Sequence, residues 1–225
     1  MFVILSSTAV WAQRTDSTTH RADTVKRNFR PTGIRIGTDV ISIAKTQYVA
    51  TFRGWEMNAD IDFYRYFLAV DIGSWSRNFT QKDTTQGRYA NTGTYYRVGV
   101  DVNFLTKDLE KNMFFIGLRY GHSTFSETYD VALIDPLWTS SSSQQQHFSN
   151  DHVNAHWLEL TTGLRVKIWK ILWMGYTARF KFGLSTNEQG IMLPSDVPGY
   201  GRTDKNTTWG FNYQVFVRLP LPKRR

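Results

Sequence analysis

The sequence predicts an all-β fold, an eight-stranded antiparallel up-and-down transmembrane β-barrel of the outer-membrane type. Three observations carry that expectation. Apolar and polar residues alternate with period two in eight segments between positions 31 and 221, which is how a strand with two unlike faces reads. The connections between those segments alternate between short and long, as in barrels with tight turns at one rim and loops at the other. Finally, the polar face carries glycines and charges of both signs. A solvated outer face would favour Thr, Lys and Glu instead, because glycine weakens strands.

Taken in order, residues 1–12 read as the remnant of a signal peptide: Phe2-Val3-Ile4-Leu5 is a short apolar run, and Val10 and Ala12 precede Gln13 at the positions a signal peptidase prefers. Residues 13–30 are polar and charged and should form a flexible periplasmic lead-in. The barrel is expected over 31–225, with strands at 32–41, 49–63, 66–75, 94–105, 114–125, 155–169, 173–186 and 207–221. Each reaches the roughly 9–11 residues that a tilted strand needs to cross a bilayer. Tyr64-Arg65 and the stretch 170–172 should be tight turns, and 106–113 a moderate one. Residues 76–93, 126–154 and 187–206 should be long exposed loops, with 42–48 a shorter one. Pro194, Pro198 and Gly199 mark turns, and Ser140 to Gln146 is a low-complexity tip.

Parity assigns the charged residues to one face. Arg35, Asp39, Glu56, Asp60, Asp71, Arg97, Asp101, Arg119, Glu159, Arg165, Lys167, Arg179, Lys181 and Arg218 should line the lumen as an ion-pair network. Eight strands leave room only for side chains inside, and isolated charges there are too costly to keep. The opposite face offers rows such as Val98-Val100-Val102 and Ile116-Leu118-Tyr120, with Trp55, Phe63, Tyr66, Tyr96, Phe104, Trp173 and Trp209 as an interfacial aromatic girdle. Lys26, Arg27, Arg30, Arg65, Lys170 and the basic C-terminus gather at the rim expected to be periplasmic.

Composition excludes several classes. No stretch approaches the roughly 20 apolar residues of a spanning helix, and mean hydropathy is −0.40. The absence of cysteine excludes disulfides, thiolate metal sites and a lipoprotein anchor. The formal charge of +8 does not read as nucleic-acid binding, because the basic residues are dispersed over strands rather than gathered in a stripe.

Three blocks carry a family resemblance. Gly117-Leu118-Arg119-Tyr120-Gly121, Ala155-His156-Trp157-Leu158-Glu159-Leu160 with Gly163, and Gly210-Phe211-Asn212-Tyr213 resemble, in order and spacing, a Bacteroidota family of small exported proteins described as a domain of unknown function. The resemblance spans about Gly33 to Leu221 and implies an outer-membrane barrel, with no catalytic residue or substrate.

One constellation invites a catalytic reading. Arg119 to Thr124 is similar to the Arg-x-x-His-x-Ser segment of lipid A deacylases, which implies His122 as base, Ser123 or Thr124 as nucleophile, and Glu127 or Asp130 as orienting acid. Against it, Thr124 replaces the expected serine, Ser123 has inward parity, and the Asn-Ala-Gly that follows in those enzymes is missing. The plainer reading makes His122 an interfacial polar residue. His147, His152 and His156 have no regular metal-ligand spacing, so no metal and no cofactor is expected. The preferred expectation is a non-enzymatic, monomeric anchor or interaction scaffold in contact with outer-membrane lipid and lipopolysaccharide, with a lipoprotein as one possible protein partner. A lipid A-modifying acyl hydrolase and a narrow ion or small-solute channel stay open beside it.

Overall fold

The computed structural model describes residues 30–80, 87–105, 108, 110–134, 143–187 and 192–222. The signal-peptide remnant, the lead-in up to position 29 and the serine run at 140–142 lie outside the described residues. Eight strands close into one barrel: β1 (Pro31–Asp39), β2 (Phe52–Phe63), β3 (Tyr66–Thr80), β4 (Arg88–Asn103), β5 (Met113–Ile134), β6 (Ser143–Trp169), β7 (Leu172–Thr186) and β10 (Thr207–Pro220). A helix, α1 (Val40–Tyr48), follows β1, and a miniature hairpin, β8 (Asp196–Val197) with β9 (Gly201–Arg202), interrupts the last long loop. Every barrel strand pairs antiparallel with its sequence neighbours, and β1 closes the ring on β10. No helix among the described residues is long and apolar enough to cross a membrane, which has no bearing on crossing by strands.

The tight turns sit where expected. Tyr64-Arg65 joins β2 to β3, with Tyr64 in the left-handed region at φ 65°, and Lys170-Ile171 joins β6 to β7. Four expectations about the opposite rim need correction. The described residues of 76–93 are almost all strand rather than loop, because β3 runs to Thr80 and pairs with β4 from Arg88 onward. Residues 42–48 are helical rather than a loop, because the Asp39 carboxylate caps α1 by accepting from the Ile41 and Ser42 backbone N–H groups. Residues 126–154 are mostly strand: β5 and β6 continue as one hairpin to the pair Ile134–Ser143, past a bulge between Phe125 and Glu127. The alternation of Phe125, Glu127, Tyr129 and Val131 keeps the inward parity of the lower strand, so the same pattern simply runs on. Lastly, the described part of 187–206 is not an exposed loop. It folds back over the mouth of the barrel, with Asp196, Val197 and Tyr200 buried.

The barrel is inverted relative to a soluble protein. Leu68, Val70, Val100, Leu118, Leu160 and Val217 are exposed on the outside, while arginines and carboxylates occupy the interior. Interior glycines make space for them. A Cβ on Gly121 would enter the Trp157 ring, and one on Gly117 would meet the Asp101 carboxylate.

The wall has one irregular seam. β1 is nine residues long and ends at the pairs Thr38–Met57 and Asp39–Gln214. Above that level, Phe52 to Glu56 of β2 and Thr207 to Tyr213 of β10 keep only their outer neighbours, β3 and β7. Helix α1 fills the gap unevenly. On the β2 side the Thr46 hydroxyl donates to the Gly54 carbonyl (2.7 Å) and accepts from the Gly54 N–H (2.9 Å), standing in for a strand partner. On the β10 side Asp39 accepts from the Tyr213 N–H at 3.0 Å.

Candidate functional site

The lumen holds the densest chemistry in the molecule. Five arginines (Arg35, Arg97, Arg119, Arg165, Arg179) meet five carboxylates (Glu56, Asp60, Asp71, Asp101, Glu159), all buried. The contacts form a chain rather than isolated pairs. Asp60 receives Arg35 at 2.8 Å and Arg165 at 2.5 Å, from opposite sides of the lumen. Asp101 receives Arg119 at 2.8 Å, and Arg119 also reaches Asp71. Asp71 in turn receives Arg179 at 3.0 Å, and Arg179 reaches Glu159 at 2.9 Å. Arg97 closes the upper end against Glu56 (3.0 Å) and lies 3.0 Å from Glu159, the latter a charge contact without hydrogen-bond alignment.

Neutral groups complete the pairing. The Asn58 amide donates to both Glu56 and Asp71, Trp157 Nε1 donates to Glu159 (2.7 Å), and the Tyr95 hydroxyl donates to Glu56 (2.8 Å). Arg97 lies over Tyr95, and Arg165 is sandwiched by Phe115 and Phe216 at 4.8 and 4.7 Å. Equal numbers of opposite charges, each hydrogen-bonded, are what a water-poor interior requires.

The remaining residues predicted for this network lie elsewhere. Asp39 is buried, but its oxygens cap α1 and hold the Tyr213 N–H, because β1 ends there. Lys167 is exposed at the short-turn rim and pairs with Glu110 (2.5 Å), since a turn begins three residues later. Arg218 pairs with Asp62 at 2.8 Å at the same end, where Asp62 also accepts from the backbone of Thr32 and Gly33. Among the described residues Lys181 meets no carboxylate at ion-pair distance, and it donates to the carbonyls of Gly199 (2.7 Å) and Tyr200 (2.9 Å). Trp173 is corrected from the outer girdle to the interior: it is buried beneath the Arg35 guanidinium. Its parity matches Gly175 and Thr177, not the outward Tyr176. Trp55, Tyr66, Tyr96, Phe104 and Trp209 are exposed on the outer surface, and Phe63 is half-buried there.

The mouth is covered by the fold-back of 192–206. Arg77 pairs with Asp196 at 2.9 Å, Tyr89 and Asn91 donate to the Asp196 carbonyl, and Arg97 donates to the Gly199 carbonyl (3.1 Å). Val197 and Tyr200 pack into an apolar cluster with Tyr95, Phe125, Val153, Ala155 and Trp157. Burial pushes the Asp196 carboxyl above the ordinary range, with Arg77 pulling the other way. Gly199, at φ 83°, supplies the turn that no L-residue would adopt cheaply, and its neighbours Pro198 and Pro194 were the sequence markers for it.

The family model described as Domain of unknown function (DUF6048) matches residues 1–224. The chain belongs to this family. Among curated proteins none matches the sequence. Two solved structures from Acinetobacter baumannii resemble it in fold, CarO (11% identity, TM-score 0.39, covering 87% of this chain and 100% of that one) and CarO2 (11%, 0.38, 85% and 98%). Neisserial surface protein A is also similar (11%, 0.30, 85% and 96%). These likenesses are too distant to transfer any residue's role to the DUF6048 chain.

The DUF6048 chain does not assemble the hydrolytic set suggested by its Arg119–Thr124 segment. Ser123 points inward, is buried and donates to the Thr94 carbonyl (3.1 Å). Thr124 donates to Asn154, and Glu127 receives Tyr89 and Asn150 on the inner face. Asp130 pairs with His147 at 2.5 Å. His122 instead stacks on Tyr96 and lies 4.7 Å from the His156 ring, whose Nδ1 meets the Tyr120 hydroxyl at 2.5 Å. Strand alternation puts His122 and Glu127 on opposite sides of the wall, and Asp130, which shares the outward face, is engaged by His147 eight residues further along β5. Sequence reasoning missed the cross-strand partnership of His122 and His156, because register cannot be read from either strand alone.

Proposed function

We propose that this chain is a bacterial outer-membrane barrel that acts as a sealed, non-enzymatic anchor and displays a rigid β-hairpin above the membrane. The membrane location is supported by inversion: a continuous apolar exterior of this kind is unfavourable in water and favourable against acyl chains. The anchor role rests on one observation, the five-against-five charge network that fills the lumen. A conducting pore would need hydrated charges, whereas these are engaged with one another and with Asn58, Tyr95 and Trp157.

The hairpin of β5 and β6 supplies the interaction surface. β5 runs for 22 residues and β6 for 27, against the roughly 9–11 that cross a bilayer. Among the described residues, β6 from Ser143 to Val153 pairs strand to strand with β5 alone, and its other edge is the surface we assign to a partner such as a lipoprotein. Lipopolysaccharide and lipid would surround the barrel below it. Planar-bilayer recording tests the sealed lumen: silence is expected, and steady single-channel current would refute it. Affinity capture from outer membranes with and without residues 127–150 tests the display role, and identical captured sets would refute that.

A further inference from the structure

The seam beside α1 encloses a cavity of about 410 Å³ that the anchor reading leaves unused. Its volume falls within the roughly 300–1,000 Å³ of ordinary ligand sites. Its walls come from α1, the tops of β2 and β3, the Tyr200 turn and the unpaired edge of β10. Phe52, Trp75 and Tyr95 form a continuous aromatic side, with ring centroids 5.8 and 5.9 Å apart. Trp75 Nε1 is shielded from solvent and has no hydrogen-bond partner among the described residues. The apolar outward residues Trp209 and Phe211 also line the cavity, and they are among the most exposed aromatics on the barrel, at 66% and 65%. Such a cavity opens sideways, towards the face that meets acyl chains.

Access from above is obstructed, because the 192–206 fold-back is held over the lumen by Arg77, Arg97 and Lys181. The charges in the cavity do not cancel. Glu56 and Arg97 neutralise each other, Arg77 is engaged by Asp196, and the Asp39 carboxylate, held by backbone N–H groups and Ser42, offsets one of the two lysines that line the cavity. Both lysines keep donors for an anion. Lys181 has one N–H beyond its two carbonyl partners, and Lys45, exposed on α1, sits 6.0 Å over the Phe52 ring without a carboxylate at ion-pair distance among the described residues.

We infer that this cavity binds a single-chain anionic amphiphile that enters sideways from the outer leaflet. The acyl chain would lie along Trp209 and Phe211, and the anionic head would reach towards Lys45 and Lys181 past the aromatic wall. The inference rests on the membrane reading. It goes beyond the anchor role, because it assigns the protein a lipid ligand.

The test uses the full chain in nanodiscs of zwitterionic phosphatidylcholine, so failure of the membrane reading shows first, as failure to reconstitute. In reconstituted protein, titration with 2-bromododecanoate should quench tryptophan fluorescence saturably. The saturable component should vanish in Trp75→Phe, because that ring lies beside the head-group end. Lys45→Gln, on the exposed side of α1, should weaken the apparent affinity about 2–5-fold, as removal of an exposed charge contact does. Lys181→Met should weaken it about tenfold or more, as loss of a buried charged hydrogen bond does. The methyl ester of the same acid should show only linear, non-saturable quenching. Equal saturable quenching by the ester, displacement by free acetate alone, or unsaturable quenching indifferent to Lys45→Gln would overturn the inference.

Discussion

The lumen below Glu56 and the seam beside α1 are built from the same residue types, yet one is closed and the other is not. In the lumen every one of the five arginines finds a carboxylate, either on a neighbouring strand, as Arg35 of β1 on Asp60 of β2, or across the barrel, as Arg165 of β6 on the same Asp60. The ring of hydrogen-bonded strands is complete there, so facing side chains are held at fixed separations. At the seam β1 stops, β10 loses its neighbour, and a helix replaces strand pairing on only one side. Lys181 has the parity of a lumen residue and faces Glu159 across β6 and β7, but its ammonium turns to the backbone carbonyls of the fold-back. Charge pairing in this fold therefore depends on what closes each part of the barrel as much as on which face a residue occupies.

The largest effect expected from breaking that contrast comes from the lumen. Glu159→Ala strips Arg179 and Arg97 of a carboxylate and Trp157 of its acceptor, and should cost about 3–5 kcal/mol, as removing one partner of a buried pair does. Urea unfolding in lipid vesicles, followed by the heat-modifiable gel shift of barrels, measures it. Trp157→Ala comes next: it opens a void between Gly121 and Tyr200 and should cost about 3–5 kcal/mol in the same assay, but through packing. Salt should moderate neither loss, because both sites are buried in the lumen.

At the seam the effects should be smaller. Asp39→Ala removes the cap of α1 and the acceptor of the Tyr213 N–H, and should cost about 0.5–2 kcal/mol. Amide hydrogen exchange should show the loss confined to α1 and the upper part of β10. An equal loss of protection throughout β3 to β6 would mean that the seam and the lumen are one cooperative unit.

The smallest effect is a pH dependence of the fold-back. Asp196 holds its proton more tightly when docked than when free, because burial outweighs the pull of Arg77. Docking is therefore favoured at low pH and loosens as pH rises through the raised carboxyl value. Limited proteolysis within 192–206 should be slower at pH 4 than at pH 7, and Arg77→Met should widen the difference.

Much of this architecture is legible in the residues. Period-two parity places Arg97, Arg119 and Glu159 on one face and Val98, Leu118 and Leu160 on the other, and those are the faces they occupy. Parity also points Trp173 inward, and its place near a strand end, the mark of a girdle residue, is the weaker signal. Axial level is what alternation does not encode, so Lys167 and Arg218 were grouped with residues deeper in the barrel. Helix α1 straddles the expected strand end at Ile41 and the loop expected at 42–48, and nine residues are too few for helical periodicity to show, although Asp39 is a residue type that caps helices. The pairing of His122 with His156 and the docking of Asp196 at Tyr89 and Asn91 depend on register and loop closure, which join residues far apart in the chain.

The central claim is that the aliphatic rows face lipid while the charges face the axis. The chain has no cysteine, so single spin labels report without background. Labels at Val100→Cys, Leu118→Cys and Leu160→Cys in reconstituted protein should collide freely with oxygen and scarcely with a water-soluble nickel chelate. Strong collision with the chelate at all three would place those rows in water and contradict the account.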